Sequence, residues 1–164
     1  MRAKDIMIPI HDYLKPDNTL KEAVKLLRTG FRGENLVGIG VMGAPVLDET
    51  GNLVGMLSMT DALRAVYPSY MSMMDMGSFT WDGMLESLAQ KAGDRKVKDI
   101  MTSPVITIRE DDPLMECVDL ILRKHIRRMP VLDKAGKVVG MLYMRDVFFA
   151  ITKAMLKEDN GGEK

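Results

Sequence analysis

The sequence predicts an α/β fold made of two copies of one strand–helix–strand–strand–helix repeat, related by a pseudo-twofold axis and with their sheets packed together. Two duplicated blocks support this prediction. Residues 4–7, Lys-Asp-Ile-Met, return as residues 98–101, and residues 45–48, Pro-Val-Leu-Asp, return as residues 130–133. Helical and hairpin patterns in the same order in both copies are the third observation. The second block continues in the same register to residues 55–61 and 140–146. Chance does not give so many identities in one register, so the structure is expected to repeat as well.

Each copy is expected to begin with an extended segment followed by an amphipathic helix. The extended segments are Tyr13-Leu14 and residues 105–108. Thr19 opens a capping-box pattern before the first helix, whereas Asp112 is the expected cap of the second helix and Pro113 its first-turn residue. Apolar residues at helical spacing then form one face of each helix. They are Leu20, Ala23, Val24 and Leu27 in copy one, and Leu114, Cys117, Val118, Ile121 and Leu122 in copy two.

A hairpin and a last helix complete each copy. Short apolar strands at 45–47 and 53–57 flank a polar turn with glycine, as do those at 131–132 and 138–142. One repeat of about 55 residues buries too little apolar surface to be stable alone, so two are expected to pack together. The last helices carry apolar residues expected in the core, which are Ala62, Leu63, Ala65, Val66, Val147, Phe148, Ile151 and Met155.

The duplication also predicts the domain organisation. Residues 1–67 are expected to form repeat 1, with an insertion at about 28–44, and residues 96–156 to form repeat 2. Residues 157–164 are expected to be a flexible tail. The segment 68–95 between the repeats is apolar and rich in methionine, and either covers a dimer or partner surface or caps the protein's own core. The side chains expected to cover this surface or cap this core are Met71, Met73, Met74, Phe79 and Trp81.

The composition excludes several classes of protein. The 164 residues carry 23 basic and 23 acidic side chains, so no general attraction to nucleic acid or to an anionic membrane is expected. No signal peptide or membrane span is recognisable, and the lone cysteine, Cys117, is expected to be a buried core thiol, so a cytoplasmic location is predicted. Cys117, His11 and His125 lack metal-ligand spacing and no catalytic motif is present, so neither a metal site nor an enzyme is expected.

The duplicated motifs resemble the CBS (cystathionine β-synthase) domain in tandem, often called a Bateman module. Besides the two blocks above, residues 55–61 and their counterpart, residues 140–146, carry the resemblance, which covers about residues 3–67 and 96–155. It implies a homodimeric regulatory module that controls an unidentified protein. It also implies two clefts between the repeats that hold AMP, ADP, ATP or S-adenosylmethionine as a regulatory ligand and not as an enzyme cofactor.

Two aspartates are the main candidates for ligand binding. Asp61 and Asp146 each lie where a strand passes into the last helix of a repeat. A carboxylate there can accept hydrogen bonds from two ribose hydroxyls, which is the role that the resemblance implies, while the helix N-terminus suits a phosphate. The alternative is that each aspartate only stabilises the start of its helix.

The two copies differ around these aspartates. Ser58 and Thr60 offer hydroxyls beside Asp61, and the resemblance implies that Ser58 contacts the ligand. Copy two has Tyr143 in place of Ser58, and this ring either fills the pocket or stacks on a base.

The arginines show the opposite difference. Arg128, which follows Arg127 in a basic run, holds a position where the resemblance implies a phosphate contact, and its planar guanidinium suits one. Copy one has Gly43 at that position. The sequence therefore leaves open whether one cleft is empty or whether the two clefts bind differently.

The resemblance places the adenine against apolar side chains and backbone near the first strand and the hairpin. The candidates are Thr102, Pro104, Ile106 and Ile10. Residues 38–43 spell G-x-G-x-x-G, but a strand-like run follows where dinucleotide binding requires a helix, so a flexible loop is expected. Two other functions are weaker alternatives, a ligand-free module for dimerisation or protein interaction and an oxidoreductase that uses this glycine-rich stretch.

Overall fold

The computed structural model describes residues 1–29, 43–67 and 83–157. Residues 30–42 of the predicted insertion, residues 68–82 of the segment between the repeats and residues 158–164 of the predicted tail lie outside the described residues, so the predictions made for them stay predictions. In chain order the helices and strands are α1 (Ala3–Ile6), β1 (Ile8–Pro9), α2 (Leu20–Thr29), β2 (Gly43–Leu47), β3 (Leu53–Ser58), α3 (Met59–Val66), α4 (Met84–Gly93), α5 (Val97–Ile100), β4 (Ile108–Arg109), α6 (Leu114–Lys124), β5 (Arg128–Leu132), β6 (Val138–Tyr143) and α7 (Met144–Leu156). The order from β4 to α7 confirms the predicted repeat.

The chain folds into two compact units. Residues 11–105 form the first-repeat unit, and residues 1–10 together with those from 106 onward form the second-repeat unit. This division differs from the division into repeats read along the sequence, because each unit contains a short piece of the other repeat.

The first-repeat unit is built on the antiparallel hairpin of β2 and β3, to which Leu14 adds a single parallel bridge at Val46. Gly51, with φ of +80°, occupies the left-handed backbone conformation that the turn requires. Helix α2 begins where the capping pattern predicts, since the Glu22 N–H donates to Thr19 Oγ1 at 3.2 Å. The core of the first-repeat unit consists of Leu14, Leu20, Ala23, Leu27, Ala44, Val46, Leu57, Ala92 and Val97.

The second-repeat unit has a four-stranded sheet in the order β1-β6-β5-β4. Strand β4 runs parallel to β5 after the crossover through α6, and the other neighbouring strands are antiparallel. Its core comprises Ala3, Ile108, Cys117, Ile121, Met129, Val131, Leu142 and Val147. Cys117 is fully buried, as predicted, and this burial raises the pKa of its thiol to about 11.

Residues 3–7 and 97–101 begin the two repeats of the sequence, and we call them the leading segments. Each leading segment packs in the unit that contains most of the other repeat. Ala3 stands in repeat 1 of the sequence but is fully buried in the core of the second-repeat unit. Val97 stands in repeat 2 but is fully buried in the core of the first-repeat unit. Each repeat therefore supplies the leading segment that completes the core of the other unit.

An exposed ion pair accompanies each leading segment. Lys4 Nζ lies 2.7 Å from Asp111 Oδ1, and Lys98 Nζ lies 2.9 Å from Asp17 Oδ1. The hydrogen bond from each lysine lowers the pKa of its aspartate and raises the pKa of the lysine itself. Because exposed pairs of this kind contribute little to stability, the buried apolar residues hold the leading segments in place.

The prediction that Asp112 caps α6 is wrong. Its Oδ2 accepts from the Arg109 N–H at 2.8 Å, within the turn that precedes the helix, and Pro113 is the N-cap residue. Short side chains of this type often bind a nearby turn N–H in place of a helix N–H. The predicted extended segment at Tyr13-Leu14 is reduced to the single bridge made by Leu14.

Several apolar residues that were expected in the core are exposed. Leu63, Leu122 and Phe148 each directly follow a residue that is packed in a core. Consecutive helical residues point about 100° apart, so the second residue of each pair faces away from the core of its own unit. Met155, near the end of α7, is exposed as well.

Candidate functional site

Asp61 is the third residue of α3, and its carboxylate is only 5% exposed. Ser58, at the end of β3, is the N-cap residue, and its Oγ accepts from the Asp61 N–H at 3.2 Å. In return, Asp61 Oδ2 accepts from the Ser58 N–H at 2.9 Å and from the Ser58 hydroxyl at 3.0 Å. This reciprocal capping box is the local reason why the strand ends and the helix begins here.

The other oxygen of Asp61 accepts a hydrogen bond from a residue that is distant in the sequence. Thr102 Oγ1 donates to Asp61 Oδ1 at 3.0 Å, and two backbone hydrogen bonds between Thr102 and Met56 hold Thr102 in place. Arg64 Nη1 lies 3.6 Å from the same oxygen. Sequence reasoning missed Arg64, although its spacing of three residues from Asp61 is typical of a helical ion pair.

Asp146 occupies the equivalent position in α7, where it is half-buried. The N-cap residue here is Tyr143, which is buried and makes no capping hydrogen bond with its side chain. The Met144 N–H donates to the Arg127 carbonyl at 2.9 Å, so the chain before β5 lies against the start of the helix. The second-repeat unit thus brings Arg127, Tyr143 and Asp146 to one end of the β5–β6 hairpin.

The two differences between the repeats belong to one cross-strand pair. Arg128 lies directly opposite Tyr143 in the β5–β6 hairpin, and Gly43 lies directly opposite Ser58 in the β2–β3 hairpin. Directly opposed side chains on one face are neighbours, so the change from glycine to arginine and the change from serine to tyrosine alter the same place. Spacing along the chain could not show this, because register is set by pairing across the sheet.

The candidates for adenine contact are divided between the two units. The Ile10 N–H donates to the Val139 carbonyl at 3.1 Å beside β6, and Ile106 is a half-buried residue of the same unit. Pro104 is exposed and belongs to the first-repeat unit, as Thr102 does.

Thr60 has a different environment from Ser58 and Asp61. It lines a largely apolar cavity of about 450 Å³ between α3 and α4, together with Leu63, Val66, Leu85 and Leu88. The sequence offered one signal for this cavity, the helical spacing of apolar residues in α4, but did not show which helix faces them.

Some kinds of site find no support in the part of the chain that the structure describes. No group of three or more His, Cys, Asp or Glu residues is placed to hold a metal ion there. None of the helices in the same ranges is long and apolar enough to cross a membrane. The G-x-G-x-x-G stretch ends at Gly43, the first residue of β2, so a strand follows it and not the helix that dinucleotide binding requires.

Comparison with known proteins identifies the repeats. The sequence profile of the CBS domain matches residues 3–68 and 97–153. An uncharacterised protein of Methanocaldococcus jannaschii is 29% identical over 165 residues, which covers 92% of this chain and 91% of that protein. CBSX2, a chloroplastic CBS domain-containing protein of Arabidopsis thaliana, is 30% identical over 165 residues, covering 95% of this chain and 66% of that protein.

Solved structures agree with the profile. The crystal structure of CBSX2 in complex with AMP has a TM-score of 0.65 at 26% identity and covers 94% of this chain and 98% of that one. A further crystal structure of CBSX2 has a TM-score of 0.69 at 27% identity, with 94% and 96% covered. Because the profile matches both repeats and the solved CBS pairs match nearly the whole chain, this chain belongs to the CBS domain family and is a tandem pair of CBS domains.

Proposed function

We propose that this protein is a regulatory module that binds an adenosine-containing ligand, either AMP, ADP, ATP or S-adenosylmethionine, and catalyses no reaction itself. One observation carries the proposal, the carboxylate at the third position of the helix that follows the hairpin in each repeat. The AMP present in the crystal structure of CBSX2 supports an adenosine ligand.

The chemistry of the second-repeat unit suits such a ligand. A ribose has two adjacent hydroxyls that can donate to the Asp146 carboxylate, and hydrogen bonds to an ionised acceptor are the stronger kind. Arg128, on the neighbouring strand, offers a planar cation that matches phosphate geometry. The start of the 13-residue helix α7 adds the positive end of the helix dipole. Since Asp146 would repel a phosphate, the ribose is the better partner for its carboxylate.

Thermal unfolding with AMP, ADP, ATP, S-adenosylmethionine, NAD and cyclic dinucleotides tests the proposal. A ligand at about a hundred times its dissociation constant adds roughly 2.7 kcal/mol to the free energy of unfolding. For a chain of this size that raises the midpoint by roughly 5–10 °C. We expect one adenosyl compound to produce this rise and Asp146→Ala to abolish it, with guanosine monophosphate as the matched control.

A second candidate function is an assembly unit, and one observation favours it. The last helices of the two repeats expose apolar side chains at aligned positions, Leu63 at 69% and Phe148 at 60%, and Met59 and Met144 also match. Solvent-facing apolar residues repeated in this way suit a homodimer interface. Sedimentation of Leu63→Glu and Phe148→Glu against the unaltered chain tests this, with Lys25→Glu as a surface control. Dimers that these substitutions leave intact would argue against this surface.

A further inference from the structure

The cavity between α3 and α4 lies within the first-repeat unit and opens at the exposed side of both helices. Its volume is about 450 Å³. Leu63 on α3 and Leu85 on α4 line it and are 69% and 66% exposed. Small-molecule sites in proteins are typically clefts of roughly 300–1,000 Å³ with mostly apolar walls and a few polar groups. The cavity has the size and the walls of such a site.

Helical spacing explains why two apolar rows face this cavity. On α3, Leu63 and Val66 are three residues apart, so they lie on one side of the helix. On α4, Leu85 and Leu88 have the same spacing. Because α3 packs against α4, the two rows face the same space. Apolar side chains that are grouped in this way and left open to solvent mark an interaction site.

Arg64 is the one charged side chain among the described residues that line the cavity. Its side chain is 74% exposed, and its Nη1 lies 3.6 Å from Asp61 Oδ1, which is longer than a hydrogen bond. A guanidinium has five N–H donors in a planar fork that matches a carboxylate, so this contact leaves donors for a ligand. Thr60, four residues earlier on the same side of α3, adds a hydroxyl. The cavity is therefore apolar with a cation at its exposed edge.

The second repeat has different chemistry at the aligned positions. Phe149 stands where the first repeat has Arg64, and Arg145 stands where it has Thr60. The Arg145 guanidinium lies 5.5 Å from the centre of the Phe149 ring, so this cation is engaged by its own helix. The combination of apolar walls with an exposed cation is thus a property of the first repeat.

We propose that the α3–α4 cavity binds an amphipathic carboxylate of the medium-chain fatty acid type, with its apolar chain between Leu63 and Leu85 and its carboxylate at Arg64. Charge complementarity carries the choice, because the charged group at this apolar cavity is a cation. With 23 basic and 23 acidic side chains the protein has no general attraction to an anionic membrane, so the ligand is a dissolved molecule. This inference does not depend on the proposed adenosyl ligand.

Isothermal titration with hexanoate, octanoate and decanoate, each below its micelle-forming concentration, tests the site. We expect saturable binding of one molecule per chain. The affinity should rise by up to about fourfold for each added CH₂ group, because each group that enters the cavity is removed from water. Absence of saturable decanoate binding would overturn the proposal, and so would an affinity that does not depend on chain length.

Arg64→Gln tests the contact with the carboxylate, and decanol is the matched neutral ligand. We expect decanoate to bind about threefold to fivefold more weakly to this variant, the loss typical of an exposed charge pair. The affinity for decanol should stay within about twofold, since an alcohol carries no charge. Equal losses for decanoate and decanol would contradict the role of Arg64.

Leu85→Gln tests the apolar wall, and Leu122→Gln on α6 is the matched control. Both leucines lie on helices and are similarly exposed, at 66% and 67%, so neither change should prevent folding. We expect decanoate to bind about tenfold more weakly to Leu85→Gln and within about twofold of the unaltered affinity to Leu122→Gln. Equal affinities for the two variants would show that the ligand binds elsewhere.

Sedimentation tests the other possible occupant, a second copy of the chain. We expect Leu85→Gln to leave the oligomeric state unchanged, because a dissolved carboxylate and not another chain fills the cavity. A dimer that Leu85→Gln dissociates, in a chain that does not bind decanoate, would assign the cavity to a second copy and overturn the proposal.

Discussion

Two strand glycines show how closely the chain approaches itself at the scale of single residues. A Cβ atom at Gly140 would lie 2.8 Å from the Ile8 carbonyl oxygen and 2.8 Å from Met7 Sδ. A Cβ atom at Gly55 would overlap the side chain of Met101. Each glycine therefore leaves space for the side chain of a methionine in a leading segment. At Gly140 the neighbours also include the backbone oxygen of Ile8, which can move less than a methionine side chain can.

Alanine at these two positions is expected to have unequal effects. Gly140→Ala should lower the free energy of unfolding by about 1–3 kcal/mol, the usual cost of overpacking, because Ile8 belongs to the β1–β6 pairing. Gly55→Ala should cost less, since Met101 can change its rotamer. Urea denaturation measures both. Gly93→Ala is the control, because its nearest neighbour would be Lys21 Cε at 3.6 Å and a helical alanine is expected to be neutral or stabilising. Equal losses at Gly55 and Gly140 would contradict the argument.

Cys117 predicts a loss of stability in alkali. Burial raises the pKa of its thiol from 9.0 in the unfolded chain to about 11 in the fold. The folded state therefore holds the proton more tightly, so the contribution is fully present below about pH 9 and is lost as the pH rises towards 11. Two pKa units correspond to about 3 kcal/mol of stability. Urea denaturation between pH 8 and 11 should show this fall, and Cys117→Ala should lack that component of it. A thiol reagent that labels the native protein rapidly at pH 8 would contradict the buried assignment.

The leading segments matter most at the scale of secondary-structure elements. Helix α1 packs against β6 and α7, and β1 pairs with β6, so the start of the chain builds the unit that contains the second repeat. Helix α5 packs against β3 and α3 in the first-repeat unit. Short helices of four residues have little stability of their own, so tertiary packing must hold them.

A buried charge in either leading segment should therefore act on the opposite repeat. Ala3→Glu is expected to weaken amide protection first in β5 and β6, whereas Val97→Glu should weaken it first in β2 and β3, because an unpaired charge in a core is costly. Hydrogen exchange read by mass spectrometry measures both. Lys25→Glu, on the exposed side of α2, is the control for a change of charge alone. Loss of protection confined to the same repeat as the substitution would be the contrary result.

At the scale of the whole molecule, the compact units and the sequence repeats are two different divisions of one chain. The core of the first-repeat unit extends from Leu14 to Val97, so it includes α4 and α5, which follow the matched CBS repeat of residues 3–68. Every residue of this core lies within 11–105. A cut at the end of the first repeat would remove Ala92 and Val97 from it.

Fragments test this difference directly. The fragment 11–105 should unfold cooperatively in urea, because its core is complete, whereas the fragment 1–67 should show no cooperative transition. Circular dichroism at increasing urea concentration measures both. The variant Val97→Glu of the fragment 11–105 is the control, and it should behave like the shorter piece. A fragment 1–67 that is as stable as the fragment 11–105 would refute the argument.

Local pattern by itself determined much of this protein. Hairpin turns with glycine, the capping pattern at Thr19 and the apolar spacing of α2 lie within a few consecutive residues, so periodicity and turn chemistry predicted them correctly. The duplicated motifs identified the CBS family for the same reason, since they are runs of contiguous residues. The cap of α6 was the exception, because the Asp112 side chain accepts from the Arg109 N–H in the turn before the helix.

Only the tertiary structure decided which residues meet across long stretches of chain. The bond from Thr102 to Asp61, the pairing of Arg128 with Tyr143 and the place of Val97 in the opposite core all join residues whose spacing carries no local signal. The exposure of Leu63 and Phe148 was also decided by the tertiary structure. Helical periodicity predicts that one face of a helix is apolar, but it does not predict how much of that face the rest of the unit covers. Such contacts depend on strand register and packing, which the whole fold sets at once.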